Sequence, residues 1–203
     1  MNYNTDRIIM LTYEVGAGGK FVSMCMALSP DIKCAMPTDT VYETSIKWFE
    51  LKKKDGRHRE YRERRMLEPD KLEEISNGKD YWVYTIHPDY VPADSHEKGL
   101  YLRVNDWPSC PKMHLVNYHW IIKAREREKK EIDLTYLKLG GSKMYPEINI
   151  GHEFNMLCVL DQKLWKKELS RLYTWLKVRE PNWDHLEHMR KLWHETYYYG
   201  YDD

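Results

Sequence analysis

The chain has 203 residues, of which 32 are Lys or Arg and 32 are Asp or Glu, so its formal net charge is zero. Without an overall field, neither nucleic acid nor an anionic membrane is expected as a partner unless a local patch supplies the charge. No stretch is apolar over the length that a bilayer requires, and the N-terminus lacks a secretory pattern, so we expect a cytoplasmic protein. The length predicts one domain, residues 1–203, whose C-terminal part at residues 162–203 is helical.

The first predicted unit is a strand, a glycine turn and a helix. The run "RIIMLTY" is typical of a strand buried on both faces, and "KFVSMCMAL" has helical potential up to the Ser-Pro pair at residues 29–30. The turn between them contains Gly16, Ala17, Gly18, Gly19 and Lys20. Backbone N–H groups and the positive end of a helix dipole could hold a phosphate or sulfate there. The alternative is that the glycines only let strand and helix pack closely.

The turn departs from the Walker pattern of nucleoside triphosphatases. That pattern has a Gly six residues before the Lys and a Ser or Thr after it, whereas this chain has Glu14 and Phe21 at those places. The missing hydroxyl removes the usual magnesium ligand. Ordinary ATP chemistry is therefore disfavoured, and no metal is expected.

Further elements follow in chain order. After a weak element in "DIKCAMP", helices are predicted over "VYETSIKWFELKK" and "EPDKLEEIS", and strands over "DYWVYTIH" and "LYLRVND". Residues 52–65, "KKKDGRHREYRERR", are either a solvated surface or a patch that contacts a polyanion. "MHLVNYHWIIKAREREKKE" is predicted to be a helix. Strands that alternate with helices predict an α/β fold with a mostly parallel sheet flanked by helices.

Two amphipathic helices are predicted at the C-terminal end. Their apolar stripes contain Leu164, Trp165, Leu169, Leu172, Tyr173 and Leu176 in the first, and Trp183, Leu186, Met189 and Trp193 in the second. The second helix also carries His185, His188 and His194. A pair at i and i+3 could share a metal, but no third ligand is evident and packing explains the helix as well.

The stretch "LTYEVGAGGKFVSMCMALSP" resembles the opening of sulfotransferase-like P-loop proteins, particularly the small, divergent ones of phage and marine viral genomes. The order of the later strands and the closing helices is similar to that family over most of the chain. The resemblance implies a three-layer P-loop-type sheet and a viral protein, located in the host cytoplasm or in the virion. Its specific part is confined to the first 30 residues.

The resemblance also implies a cofactor, 3′-phosphoadenosine 5′-phosphosulfate, and transfer of its sulfuryl group to an acceptor that is unknown. The residues implied to bind the nucleotide are Gly16, Ala17, Gly18, Gly19, Lys20, Arg103 and Ser109. Lys20 would neutralise the leaving phosphate, and His87 would take the proton of the acceptor. The chain departs from the family at Glu14 and at Pro111, where the family has Ser in its 3′-phosphate site.

A second hypothesis belongs to another class. These departures, together with Tyr- and Trp-rich C-terminal helices, are also typical of a catalytically degenerate member of the fold. Such a protein would be a viral structural or accessory component that binds a virion or host protein through aromatic anchors.

Overall fold

The computed structural model describes residues 6–13, 18–34, 42–43, 45–46, 69–86, 110–116 and 151–196. Within these residues, five strands form one sheet in which every pairing is parallel. The strands are β1 (Ile8–Thr12), β2 (Ile32–Cys34), β3 (Tyr81–Ile86), β4 (Lys112–Val116) and β5 (His152–Asn155). The helices are α1 (Gly19–Met26), α2 (Pro69–Asn77), α3 (Gln162–Leu176) and α4 (Trp183–His194), with a 3-10 helix at Met156–Leu160. The predicted α/β class is confirmed, and so is the parallel sheet.

The strand order is β2-β3-β1-β4-β5, which places β1 at the centre. All five residues of β1 are buried, as expected for a strand covered on both faces. Its register pairs Ile9 with Val83 on β3 and Leu11 with Met113 on β4, so these four apolar side chains lie on the same face. The predicted first strand and first helix are therefore confirmed.

Three helices cover this face of the sheet. The side chain of Phe21 at the start of α1 stacks on Trp165 of α3, with ring centroids 5.6 Å apart, and on Trp193 of α4, with centroids 5.5 Å apart. Phe154 of β5 meets Trp165 edge-on at 6.1 Å. This buried aromatic cluster joins α1, α3 and α4 to the sheet.

The two predicted C-terminal helices are confirmed, apart from one residue of the first apolar stripe. In α3, the stripe from Trp165 to Leu176 is buried, but Leu164 is 52% exposed. Its backbone N–H is bound by the N-terminal cap of the helix, and its side chain points away from the core. In α4, Leu186, Met189 and Trp193 are buried, and Trp183 is half-buried against the core.

The helix predicted to begin at Met113 is wrong at its start, because residues 112–116 form strand β4. Lys112 and His114 alternate with Met113 and Leu115, which is the period of a strand, but the alternation covers only five residues and is followed by a longer run with helical potential. The rest of that predicted helix lies outside the described residues, as do the strand predicted over "LYLRVND" and the charged residues 52–65. Strand β5 was not predicted.

The loop after α1 is tied to the segment after α3. Asp31 accepts hydrogen bonds from the backbone N–H of Arg179 at 2.8 Å and from its Nε at 3.0 Å. The guanidinium and backbone contacts of Arg179 lower the pKa of Asp31. Nearby, the Ser29 hydroxyl donates to the carbonyl of Arg179 at 2.7 Å. These bonds fix the C-terminal end of α1 against that of α3.

Candidate functional site

The start of α1 is formed by glycine. Gly18 is the N-terminal cap residue and has φ 79° and ψ 19°, a left-handed conformation that glycine adopts without strain. No side chain caps the helix, and its first turn contains no acidic residue. The first backbone N–H groups of α1 therefore receive no hydrogen bond from the side chain of the cap residue. They lie at the positive end of the helix dipole.

Packing requires the next glycine. A Cβ placed on Gly19 would overlap the ring of Tyr13, which is the residue that follows β1. Tyr13 is itself buried, so its ring has little room to move away. Gly19 thus lets the strand and the helix approach each other across the Tyr13 ring, as the packing alternative for this turn expects.

The two residues after Gly19 point in different directions. Lys20 is half-buried, whereas Phe21 is 1% exposed and lies in the aromatic cluster with Trp165 and Trp193. The position that holds a magnesium-binding hydroxyl in the Walker pattern is therefore part of the hydrophobic core here. A hydroxyl at residue 21 would face aromatic rings.

The turn lies where the connections of neighbouring strands diverge. In the order β2-β3-β1-β4-β5, the chain leaving β1 returns to β2 on one side, and the chain leaving β4 continues to β5 on the other. In open parallel sheets, ligands bind at such a switch point, outside the carboxyl ends of the strands. Helix α1 is the next described element after β1, so Gly18 and Lys20 at its start are assigned to this edge of the sheet, here called the carboxyl edge.

A buried polar pair joins β1 to β4 below the turn. The Thr12 hydroxyl donates to the carbonyl of Met113 at 3.1 Å, and Thr12 Oγ1 lies 2.6 Å from Nδ1 of His114. A hydroxyl has one proton, so if it is donated to Met113, the Thr12 oxygen must accept from Nδ1–H of His114. This assignment leaves Nε2 as the acceptor nitrogen of a neutral imidazole.

The electrostatics of His114 agree with the neutral form. Burial lowers the pKa of His114 to about 4, opposed by the nearby carboxylate of Glu153. Both Thr12 and His114 are fully buried. The pair therefore holds the end of β1 against β4 and fixes the direction in which the chain enters the turn.

Of the predicted site residues, the structure brings together Gly18, Gly19 and Lys20 at the start of α1. The others, which are Gly16, Ala17, His87, Arg103 and Ser109, lie outside the described residues. Sequence reasoning missed Thr12 and His114. The residues are 102 positions apart in the sequence, so only the strand order could have indicated their contact.

The histidines of α4 have an aromatic partner. Tyr42 stacks on His185, with ring centroids 3.9 Å apart, and its hydroxyl lies 2.6 Å from Nδ1 of His188. The histidine pair thus connects α4 to the segment around residue 42. Among the described residues, no group of three or more His, Cys, Asp or Glu side chains is placed to hold a metal ion.

Comparisons of the chain with protein-family models, with curated proteins and with solved structures find no match. None of the helices in the described ranges has the length and apolar character needed to cross a membrane.

Proposed function

We propose that the protein binds an adenine nucleotide at the start of α1 and transfers a sulfuryl group from 3′-phosphoadenosine 5′-phosphosulfate to an acceptor. The observation that carries the proposal is the start of α1 at the carboxyl edge. There a central parallel strand leads into a left-handed Gly18, an uncapped helix and Lys20. The strand-turn-helix arrangement also supports the P-loop type of fold that the sequence resembles.

The chemistry assigned to this site is electrostatic. The anionic 5′-phosphosulfate would accept hydrogen bonds from backbone N–H groups beyond Gly18, and Lys20 would stabilise the negative charge that develops on the leaving phosphate. The acceptor oxygen or nitrogen forms a bond to sulfur as the bond from sulfur to the phosphate oxygen breaks. The acceptor proton passes to a base, for which His87 is the proposed residue. His114 is unsuited to that role because it is fully buried.

Isothermal titration with 3′-phosphoadenosine 5′-phosphate tests the nucleotide site directly. Wild-type protein should bind, and Lys20→Ala should weaken binding about tenfold or more, because a hydrogen bond to a charged group contributes about 1.5–3 kcal/mol. Lys79→Ala is the matched control, since Lys79 is exposed and lies before β3, at the opposite edge of the sheet. No heat from the wild type at high concentration, or equal affinity for wild type and Lys20→Ala, would remove the proposal.

A second candidate function is supported by the packing around the turn. The close approach of the Tyr13 ring accounts for a glycine at residue 19, and the hydrophobic core accounts for Phe21 in the first turn of α1. Neither residue needs a ligand to explain it. On this hypothesis the protein is a degenerate member of the fold that acts by binding another protein. Absence of nucleotide binding, combined with specific recovery of one partner from the source particle or cell, would favour this candidate over the first.

A further inference from the structure

The outward face of α3 is basic. Lys163, Lys166 and Lys167 are exposed in its first two turns, and Arg171 is exposed one turn later. The helix contains one acidic residue, Glu168, whose carboxylate accepts a hydrogen bond from Arg171 at 2.6 Å. The three lysines are called the α3 lysine cluster below.

Helix stability does not explain the α3 lysine cluster. The N-terminal end of a helix carries the positive end of its dipole, where acidic side chains are favourable and cations are not. The first turn of α3 nevertheless has no acidic residue. Within the part of the chain that the structure describes, no carboxylate is paired with a lysine of the cluster, and Lys166 instead lies over the ring of Trp183 at 5.2 Å. Asp161 supplies one carboxylate as the cap of this helix, but its Oδ1 accepts from the backbone N–H of Leu164 and not from a lysine of the cluster. An external anion can therefore meet the three lysines along the side of the helix.

The spacing of the cations favours a polymer with repeated charges. Lys163, Lys167 and Arg171 occupy successive turns, so they follow one line along the helix with about 6 Å of rise between neighbours. Nη2 of Arg171 donates to Glu168 and to the carbonyl of Glu153, so Arg171 is partly neutralised and the two lysines carry most of the charge of the row. A regular row of this kind matches the repeated phosphates of a nucleic acid strand, which contribute most of the affinity when bases are not read.

A lipid surface fits the same face less well. Helices that lie on membranes insert an apolar face into the lipid, but the apolar face of α3 is buried in the protein core. Among the described residues, Leu164 is the exposed large hydrophobic side chain, at 52%. One such residue offers little area for insertion.

We propose that the α3 lysine cluster, extended by Arg171, binds the phosphate backbone of a single-stranded nucleic acid without reading its bases. The zero net charge of the chain is compatible with this, because the charges concerned are local. The proposal is independent of nucleotide binding at α1.

Fluorescence anisotropy of a labelled oligo-dT, titrated with the full chain over a range of salt concentrations, tests the proposal. Wild-type protein should bind at about 50 mM salt and weaken steeply as salt rises. Lys163→Glu with Lys167→Glu should lower affinity about tenfold or more. The same variant should reduce the slope of log affinity against log salt by about 1.4, because each neutralised phosphate of a single strand contributes about 0.7 to that slope.

The matched control is Lys79→Glu with Lys191→Glu, which changes the net charge equally on exposed residues outside α3. Its affinity for oligo-dT should stay within about twofold of wild type, because binding depends on local phosphate neutralisation. Lys163→Gln with Lys167→Gln repeats the test without charge reversal, and should also weaken binding.

Each other outcome overturns the proposal. An absence of binding by the wild type does so, and equal weakening of the two glutamate double variants would show that net charge alone is responsible. Binding to phosphatidylserine vesicles without binding to oligo-dT would assign the cluster to a membrane surface. Circular dichroism checks folding, and the Lys163→Glu, Lys167→Glu variant should melt close to the wild-type temperature, because residue 163 lies in the first turn, where a carboxylate is favourable, and residue 167 is exposed.

Discussion

The N-terminal ends of α1 and α3 are in contact through the stacked rings of Phe21 and Trp165, yet the two helices are capped differently. At α3, the extended cap residue Asp161 accepts a hydrogen bond from the backbone N–H of Leu164 at 2.9 Å. At α1, the cap is a left-handed Gly18 with no side chain. Helix α4 resembles α3, because its cap residue also accepts a hydrogen bond from a backbone N–H through its side chain.

The difference separates two kinds of anion contact. A carboxylate already occupies the α3 terminus, so an anion meets that helix along its side, where the lysines lie. Among the described residues, no carboxylate caps the α1 terminus, which leaves its dipole and its backbone donors to an external anion. Packing holds α1 in place instead, through Tyr13 behind Gly19 and through Phe21 in the aromatic cluster.

The largest expected effect comes from the packing that replaces a cap at α1. Phe21→Ala should lower the free energy of unfolding by about 3–5 kcal/mol, because it leaves a cavity between Trp165 and Trp193. Urea denaturation followed by tryptophan fluorescence measures the change.

Two further variants of residue 21 act as controls. Phe21→Leu keeps most of the volume and should cost clearly less than the alanine variant. Phe21→Ser restores the Walker hydroxyl but should destabilise as the alanine variant does, with no magnesium-dependent binding of ATP. Magnesium-dependent binding by Phe21→Ser would show that the side chain can reach an open site.

The next largest effect is a loss of stability at acidic pH, caused by the buried His114 that contacts Thr12 at the end of β1. His114 has a pKa of about 4 in the folded protein and an ordinary value of 6.5, so the unfolded chain binds more protons between these pH values. The free energy of unfolding should therefore decrease as the pH is lowered, by about 2 kcal/mol from pH 7 to pH 5 for this one residue. Burial also lowers the pKa of His152 to about 4 and lowers the pKa of His194, so both histidines add to the loss.

His114→Asn isolates the contribution of His114. The asparagine amide can donate to Thr12 Oγ1 as Nδ1–H does, but it does not titrate in this range. Urea denaturation at pH 7 and pH 5 should show an acid loss that is smaller in this variant than in the wild type by about 2 kcal/mol. If the loss were unchanged, His114 would not be buried in its neutral form.

Local signals explain why much of the fold is predictable. The continuous apolar run of β1, the glycines before α1 and the apolar stripes of α3 and α4 are each visible within a few residues of sequence. Strand β4 is difficult to predict because it is short. Lys112 and His114 alternate with Met113 and Leu115 over only five residues, too few to outweigh the helical pattern predicted after them. Strand β5 combines His152 and Glu153 with Phe154 over only four residues, so its pattern is weak.

The candidate site is less predictable than the fold. The glycine turn is visible in the sequence because its signal is local, whereas the contact of Thr12 with His114 depends on β4 lying next to β1. For a similar reason, the sequence alone does not decide whether Gly19 serves packing or ligand binding. Its explanation lies in the ring of Tyr13, whose position depends on how strand and helix approach.

A substitution at Gly19 tests whether packing or ligand binding determines that glycine. Gly19→Ala should lower the free energy of unfolding by about 1–3 kcal/mol, because its Cβ would overlap the Tyr13 ring. The matched comparison, also by urea denaturation, is the same substitution in a Tyr13→Ala background, where the overlap is absent and the additional loss should be small. Equal losses in both backgrounds would show that the two positions are not coupled.

The smallest expected effect concerns the side-chain cap of α3, which α1 lacks. Asp161→Ala should lower the free energy of unfolding by about 1 kcal/mol, because the N–H of Leu164 loses its acceptor. Asp161→Asn keeps a capping oxygen and should be nearly as stable as the wild type, while removing a negative charge near Lys163 in the sequence. If the α3 lysine cluster binds phosphates, both variants should bind oligo-dT more tightly than wild type, although only the alanine variant is destabilised. Tighter binding in the alanine variant alone would instead indicate that loosening of the helix start, rather than charge, controls access to the lysines.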